Sequence, residues 1–243
     1  MKRKLILILL ASLVVSSQPA VVFAAETEEK VQNETEGVSD QQELPEADIF
    51  HVDFTDGTAD ISPLGSGEGE AVGSPEIEEN EELHKKTAYF DGNSAYAYSI
   101  SSDRLEKISE NVTMECMVKF NSIPENGEKD IFSMQEYSGI GIGVNRGKLT
   151  FFAYVDGKFR EVTAPIRADQ WYHITGVVEG TQVKLYVNGV RQSSDNDAES
   201  PGITYPSSDR ARSIVLGGDS DDYAAAENMA EGEISFAKIY SAP

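Results

Sequence analysis

Residues 169–189 read DQWYHITGVVEGTQVKLYVNG, and this stretch carries the plainest fold signal in the chain. Apolar side chains alternate with polar ones from Val183 to Val187, which is the period of a half-buried β-strand. Asn188-Gly189 supplies the two positive φ angles that a tight two-residue hairpin requires. Residues 171–178 predict the preceding strand, and Glu179-Gly180 predicts the turn between the two.

Short alternating runs separated by turn residues recur along most of the chain. Val112 to Phe120 is apolar at every second position, which places the single cysteine, Cys116, inside a strand. Asn145-Arg146-Gly147 and Asp156-Gly157 predict two further hairpins. Residues 102–109 have helical spacing and predict one short helix. About a dozen strands with at most one short helix predict an all-β, antiparallel, two-sheet jelly-roll β-sandwich.

The start of the chain has a different composition from the rest. A basic beginning, an apolar run over 5–15 and small residues ending at Ala24 predict a secretory signal peptide over 1–24, cleaved near Ala24. Residues 25–47 are acidic, have almost nothing apolar to bury, and predict a disordered linker. A single domain over 48–243 remains. We expect the mature protein to be secreted and not to insert into membranes.

Net charge and cysteine content exclude several classes of protein. The formal net charge is −22, so the chain repels phosphate backbones, and nucleic acid is not an expected partner. One cysteine cannot form an intrachain disulfide, so the disulfide-stapled extracellular class is excluded. Stability must therefore come from a hydrophobic core.

Five blocks of the sequence, in their order and spacing, resemble the laminin-G-like, concanavalin A-like lectin family of jelly-roll domains. The blocks are YFDGN at 89–93, VTMECMVK at 112–119, the stretch at 169–189, IVLGG at 214–218 and GEISFAKIY at 232–240. The resemblance covers roughly residues 48 to 240 and implies a concanavalin A-like sandwich.

The resemblance implies an exported, non-catalytic binding module for a carbohydrate or a cell-surface polymer. Two alternatives stay open. Residues 47–63 also resemble laminin-G-like domains found ahead of calcineurin-like phosphoesterase domains in exported bacterial proteins, which would make this chain the accessory N-terminal part of a metallophosphoesterase. A domain that binds a surface protein is the other alternative.

Glycoside hydrolysis on this fold would need two carboxylates held at a fixed separation. The nearest match to the Glu-x-Asp-x-Glu strand of jelly-roll glucanases is 231–235, which lacks the central Asp and ends in Ser235. A second acidic run, 76–79, falls in Gly- and Glu-rich residues 65–82, which predict a long acidic loop. We therefore expect that the chain by itself is not an enzyme.

Loop residues supply the candidate sites. Sugar sites combine aromatic faces with a few polar groups, so we select the tyrosines in or beside loops, whereas Trp171 and His173 are interpreted as structural. The candidate ligand-binding residues are Tyr137, Tyr205 and Tyr223. The resemblance allows one Ca²⁺ at the sandwich edge, and Ca²⁺ takes hard oxygen ligands. Its candidate ligands are Asp53, Asp56, Asp91, Asp219, Asp221 and Asp222.

Overall fold

The computed structural model describes residues 45–208, 212–221 and 226–243. Within these ranges the chain forms seventeen strands and one short helix, which confirms the all-β prediction. No helix among these residues has the length and apolar character needed to cross a membrane. The predicted signal peptide and all but the last three residues of the predicted linker lie outside the described residues.

The elements follow one another in short segments. In chain order they are β1 (Phe50–Asp53), β2 (Ala59–Asp60), β3 (Gly67–Glu68), β4 (Glu70–Val72), β5 (Glu76–Asn80), β6 (Lys85–Asp91), β7 (Ala95–Ser99), α1 (Ser102–Lys107), β8 (Asn111–Phe120), β9 (Glu128–Gln135), β10 (Gly139–Asn145), β11 (Lys148–Val155), β12 (Lys158–Ala164), β13 (Trp171–Glu179), β14 (Gln182–Val187), β15 (Val190–Asp195), β16 (Ser213–Leu216) and β17 (Glu231–Tyr240).

Two antiparallel sheets make the sandwich. The eight-stranded sheet has the order β15-β14-β13-β8-β17-β6-β5, and β1 also pairs with β17. The seven-stranded sheet has the order β12-β11-β10-β9-β16-β7-β4. A small ribbon of β2 and β3 accompanies them. The number of strands exceeds the expected dozen because several of them have only two to four residues.

The core lies between the two sheets and follows the alternation of the sequence. The even-numbered residues of β8, from Val112 to Phe120, are fully buried and include Cys116. Gly176 of β13 faces Phe151 of the opposite sheet so closely that an added Cβ would lie 2.4 Å from its ring. Gly141 of β10 likewise accommodates the ring of Phe152. The interpretation of the Ile/Gly run in β10 as a closely packed strand is confirmed.

Turn predictions and the helix prediction are confirmed. Asn188 and Gly189 have φ angles of 50° and 75°, and Asp156 and Gly157 have 55° and 74°. Helix α1 begins after Ser101, whose side chain accepts a hydrogen bond from the Arg104 backbone N–H.

The prediction of one long acidic loop over residues 65–82 is wrong. This segment contains β3, β4 and β5, and β5 pairs with β6 at the edge of the eight-stranded sheet. Nearly all residues of β5 are exposed, so its sequence lacks the alternation of apolar and polar residues that predicts a half-buried strand. In the register of the two strands, Glu79 and Asn80 lie opposite the basic residues Lys86 and Lys85, which favours the pairing of β5 with β6. The charged side chains of this edge strand discourage association with other strands.

Candidate ligand-binding surfaces

A hollow of about 600 Å³ lies on the outer face of the eight-stranded sheet. We call it the sheet groove. Its floor consists of the side chains that alternate with the buried residues of β8 and of the strands on either side of it. Its lining residues are Pro45, Thr113, Glu115, Thr175, Val177, Glu179, Lys184, Tyr186, Gly189, Lys238, Tyr240, Ala242 and Pro243.

Strand register arranges the floor of the sheet groove in two rows that cross β17, β8, β13 and β14. One row is Lys238, Glu115, Thr175 and Tyr186, and the next is Tyr240, Thr113, Val177 and Lys184. Each row therefore has a tyrosine at one end and a lysine at the other, in opposite order. With neighbouring strands about 4.8 Å apart, four strands span about 14 Å.

Glu115, in the floor of the sheet groove, has two side-chain partners. Its carboxylate lies 2.7 Å from His173 Nε2 and accepts a hydrogen bond from the Tyr240 hydroxyl at 2.5 Å. The contact with His173, assisted by that from Tyr240, holds the pKa of Glu115 below its usual value although burial acts in the opposite direction. Burial and the bond to Glu115 raise the pKa of Tyr240. The carboxylate is thus ionised and the tyrosine ring is held in place.

The opposite side of the sheet groove is more exposed. Tyr186 of β14 is half-buried, and Lys184 forms an ion pair with Glu179, the last residue of β13. Neither of the carboxylates that line the groove is without a hydrogen-bonding or ionic partner. The groove therefore offers two aromatic side chains, hydroxyl groups and fixed charges, which can contact a ligand that has both apolar faces and hydroxyls.

Two of the tyrosines selected from the sequence lie close together, but outside the sheet groove. Tyr137 and Tyr205 line a smaller hollow of about 220 Å³, between the turn 136–138 and the segment 204–208. We call this region, with the adjoining residues 217–221 and 226–230, the rim. Tyr137 is 80% exposed. Tyr205 packs against the core, its hydroxyl donates to the Ile108 carbonyl at 2.9 Å, and burial raises its pKa.

The rim also collects acidic side chains. Glu136, Asp221 and Glu227 each place a carboxylate oxygen within 4.8 Å of the others. Asp219 pairs with Glu227 through two backbone hydrogen bonds of 2.9 Å. Burial and neighbouring carboxylates raise the pKa of Asp130 well above its usual range, and burial raises the pKa of Asp219 to about 8.

The six aspartates selected as calcium ligands are not all brought together. Asp53 forms an ion pair with Lys85 at 3.1 Å, and Asp56 is exposed in the turn after β1. Asp91 accepts hydrogen bonds from the Asn93 backbone and the Ser94 hydroxyl. Asp219 and Asp221 lie together at the rim, whereas Asp222 and Tyr223 fall outside the described residues.

The residues interpreted as structural are packed within the eight-stranded sheet. Trp171 is only 8% exposed, and the Lys119 ammonium lies 5.3 Å from the centre of its ring. His173 contacts Glu115 at one edge of the sheet groove.

Comparison with known proteins gives the family and several similar folds. The model of the concanavalin A-like lectin/glucanases superfamily matches residues 91–243. The binding domain of botulinum neurotoxin serotype D/C has a TM-score of 0.63 at 13% identity, covering 81% of this chain and 49% of that one. The binding domain of Paraclostridial Mosquitocidal Protein 1 has a TM-score of 0.60 at 17% identity, covering 80% of this chain and 48% of that one.

A third fold is matched over nearly its whole length. Domain 4 of AbnA, an extracellular arabinanase from Geobacillus stearothermophilus, has a TM-score of 0.58 at 18% identity, covering 79% of this chain and 91% of that one. The present chain spans only about half of the two toxin domains. No curated protein sequence matches it. The match to the family model covers more than half of the residues, and the chain belongs to the concanavalin A-like lectin/glucanase superfamily.

Proposed function

We propose that this domain is a non-catalytic carbohydrate-binding module of an exported protein, and that the sheet groove holds the sugar. The observation that carries the proposal is the placement of Tyr186 and Tyr240 at opposite ends of two adjacent rows of outward-facing side chains on one sheet. The volume of about 600 Å³ lies within the roughly 300–1,000 Å³ of small-ligand sites.

The chemistry of the sheet groove suits a sugar chain. The C–H faces of a sugar ring pack on aromatic rings, while its hydroxyls need donors and acceptors nearby. Tyr186 and Tyr240 supply the aromatic rings. Thr113, Thr175 and the ionised Glu115 supply the hydrogen-bonding groups. Because these groups stand on paired strands, little conformational entropy is lost when a ligand binds.

Similar folds support the glycan class. The arabinanase domain is described in complex with arabinotriose, and a binding domain of botulinum neurotoxin DC is described in complex with SialylT. At identities of 18% and 14%, these likenesses alone do not place the site.

The state of the carboxylates that line the sheet groove favours binding over cleavage at this surface. A glycoside hydrolase needs a carboxylic acid whose raised pKa keeps its proton available for the leaving group. The pKa of Glu115 is shifted the other way, and the neighbouring Glu179 is paired with Lys184. We therefore assign Glu115 the role of hydrogen-bond acceptor for a sugar hydroxyl.

A glycan array probed with the full chain tests the proposal, with arabinotriose and sialylated oligosaccharides among the probes. We expect saturable binding to one glycan class, and at least tenfold weaker binding by Tyr186→Ala. Phe159→Ala, which removes a 37% exposed aromatic ring from the other sheet, is the matched control and should bind normally. A blank array, or equal loss in both variants, would contradict the proposal.

A surface protein is the second candidate ligand, because one similar binding domain is described in complex with rat synaptotagmin II. Binding to a purified surface protein without competition by free sugars would favour this alternative. Export is a separate part of the proposal and rests on the predicted signal peptide. Sequencing the N-terminus of the protein from culture medium should give Ala25 as the first residue, whereas an intact Met1 would contradict cleavage.

A further inference from the structure

The row of the sheet groove that contains Glu115 continues past Tyr186 to a basic residue on the edge strand β15. Asn188-Gly189 forms a two-residue hairpin turn, which fixes the register of β14 and β15 and sets Tyr186 directly opposite Arg191. Residues that face each other in an antiparallel pair have their side chains on the same face of the sheet, with Cβ atoms about 4.5–5.5 Å apart. Arg191 therefore stands beside Tyr186 on the outer face of the sheet.

Arg191 has no carboxylate that balances its charge. Its side chain is exposed, and no Asp or Glu of the described residues lies within ion-pair distance of its guanidinium. By contrast, Lys85, Lys119 and Lys184 of the same sheet each form an ion pair with a carboxylate. The Arg191 guanidinium is thus available to an anionic group of a ligand, although the formal net charge of the chain is −22.

Lys238, at the other end of this row, is less suited to hold an acid. It also makes no ion pair with the described residues, but the register places it directly opposite Glu115, and its ammonium lies 4.9 Å from the centre of the Phe236 ring. Arg191 lies three strand spacings from Glu115, which is about 14 Å. This separation exceeds the Debye length of about 8 Å at physiological ionic strength, so the charge of Glu115 is largely screened at Arg191.

Open space adjoins Tyr186 at this end of the sheet groove. Gly189 lines the groove in the neighbouring turn, and a Cβ added to it would meet no atom within 4 Å. A sugar ring that packs on Tyr186 therefore has room for a substituent beside the turn. A guanidinium is planar and binds a carboxylate through two parallel hydrogen bonds, which suits a carboxylate carried by such a ring.

We propose that Tyr186 and Arg191 form an acidic-sugar subsite, in which the ring of a uronic or sialic acid packs on Tyr186 and its carboxylate binds the Arg191 guanidinium. The rest of the glycan extends along the row, where Thr175 and Glu115 meet its hydroxyls. This inference rests on the proposed function, because it names the class of sugar that the sheet groove selects.

Calorimetry with two matched pairs of probes tests the subsite. Sialyllactose and trigalacturonic acid are each compared with their carboxyl-reduced, neutral forms. The full chain should bind the acidic member of one pair about tenfold more tightly or better, since hydrogen bonds between charged groups contribute to that extent. The pair that shows the preference identifies the source of the carboxylate, and the preference should diminish as the NaCl concentration is raised.

The variant Arg191→Gln should lose the preference for the acidic probe and keep the affinity for its reduced form, whereas Arg191→Lys should keep part of the preference. Lys158→Gln removes an exposed positive charge from the other sheet and is the matched control, which should bind as the parent does. Equal affinity of the parent for the acidic and reduced probes, or a preference that persists in Arg191→Gln, would overturn this inference and leave sugar binding intact. A blank glycan array would overturn both.

Discussion

The sheet groove and the rim hold their acidic groups in opposite environments. In the sheet groove, Glu115 has two partners, His173 and Tyr240, and its pKa is lowered. At the rim, burial, together with neighbouring carboxylates, raises the pKa values of Asp130 and Asp219. A carboxylate on the open face of a sheet is suited to accept hydrogen bonds from the hydroxyl groups of a ligand, whereas the two buried carboxylates of the rim are withdrawn from the surface.

The largest effect should come from removing both aromatic ends of the sheet groove. Loss of one well-placed aromatic contact costs about 1.4 kcal/mol or more, which is about tenfold in affinity. Tyr186→Ala/Tyr240→Ala should therefore weaken binding of the glycan identified on the array by about 100-fold, as measured by calorimetry. Tyr137→Ala at the rim should change it less than twofold. The reverse pattern would move the sugar site to the rim.

A smaller effect is expected from a substitution at Gly176, whose close packing on Phe151 supports the sheet beneath the groove. Gly176→Ala brings a methyl group to 2.4 Å from the Phe151 ring, so the two sheets must separate slightly under the row that contains Thr175. We expect a loss of about 1–3 kcal/mol in the free energy of unfolding, measured by urea denaturation. Gln182→Ala, an exposed change in the next strand, should alter it by less than about 0.5 kcal/mol. Equal stability of Gly176→Ala and the parent would contradict the close packing.

The smallest effect is a pH-dependent one at Glu115. Its pKa in the folded protein lies below the ordinary value of 4.5, so ionisation of Glu115 stabilises the fold above that pH and ceases to do so as the pH falls through the folded value. Glu115→Gln should therefore melt at a lower temperature than the parent at neutral pH, and the gap should narrow as the pH falls below 4.5 and close once the pH is below the pKa of Glu115 in the folded protein. Tyr240→Phe should show a weaker form of the same trend. A gap that is constant with pH would show that packing, not charge, is lost.

The sequence predicts which side chains of the sheet groove point outward but not which of them meet. Alternation in β8 is enough to place Glu115 on the face opposite Cys116. That Glu115 shares a row with Tyr186 depends on the register of β8, β13 and β14, which no local pattern encodes. The sequence therefore predicts the strands of the groove but not the groove itself.

At the rim, the loop residues were easier to find than the buried ones. Asp219 and Asp221 are acidic residues that follow a predicted strand, which is enough to make them candidates from the sequence alone. Asp130 reads as an ordinary polar residue near the start of a strand. Its burial depends on Gly143 across the ladder, where a Cβ would lie 2.3 Å from Asp130 Oδ1. Only the paired structure reveals that the absence of one side chain makes room for a carboxylate.

Chemical-shift mapping by NMR tests the central claim most directly. The isotopically labelled full chain is titrated with the glycan identified on the array, and the perturbed amides are located on the structure. The account predicts that the largest shifts fall on β8, β13, β14 and β17 around Glu115, Thr175 and Tyr186, with little change at residues 136–138 and 204–208. Shifts concentrated at those rim residues, with the sheet groove unaffected, would contradict it.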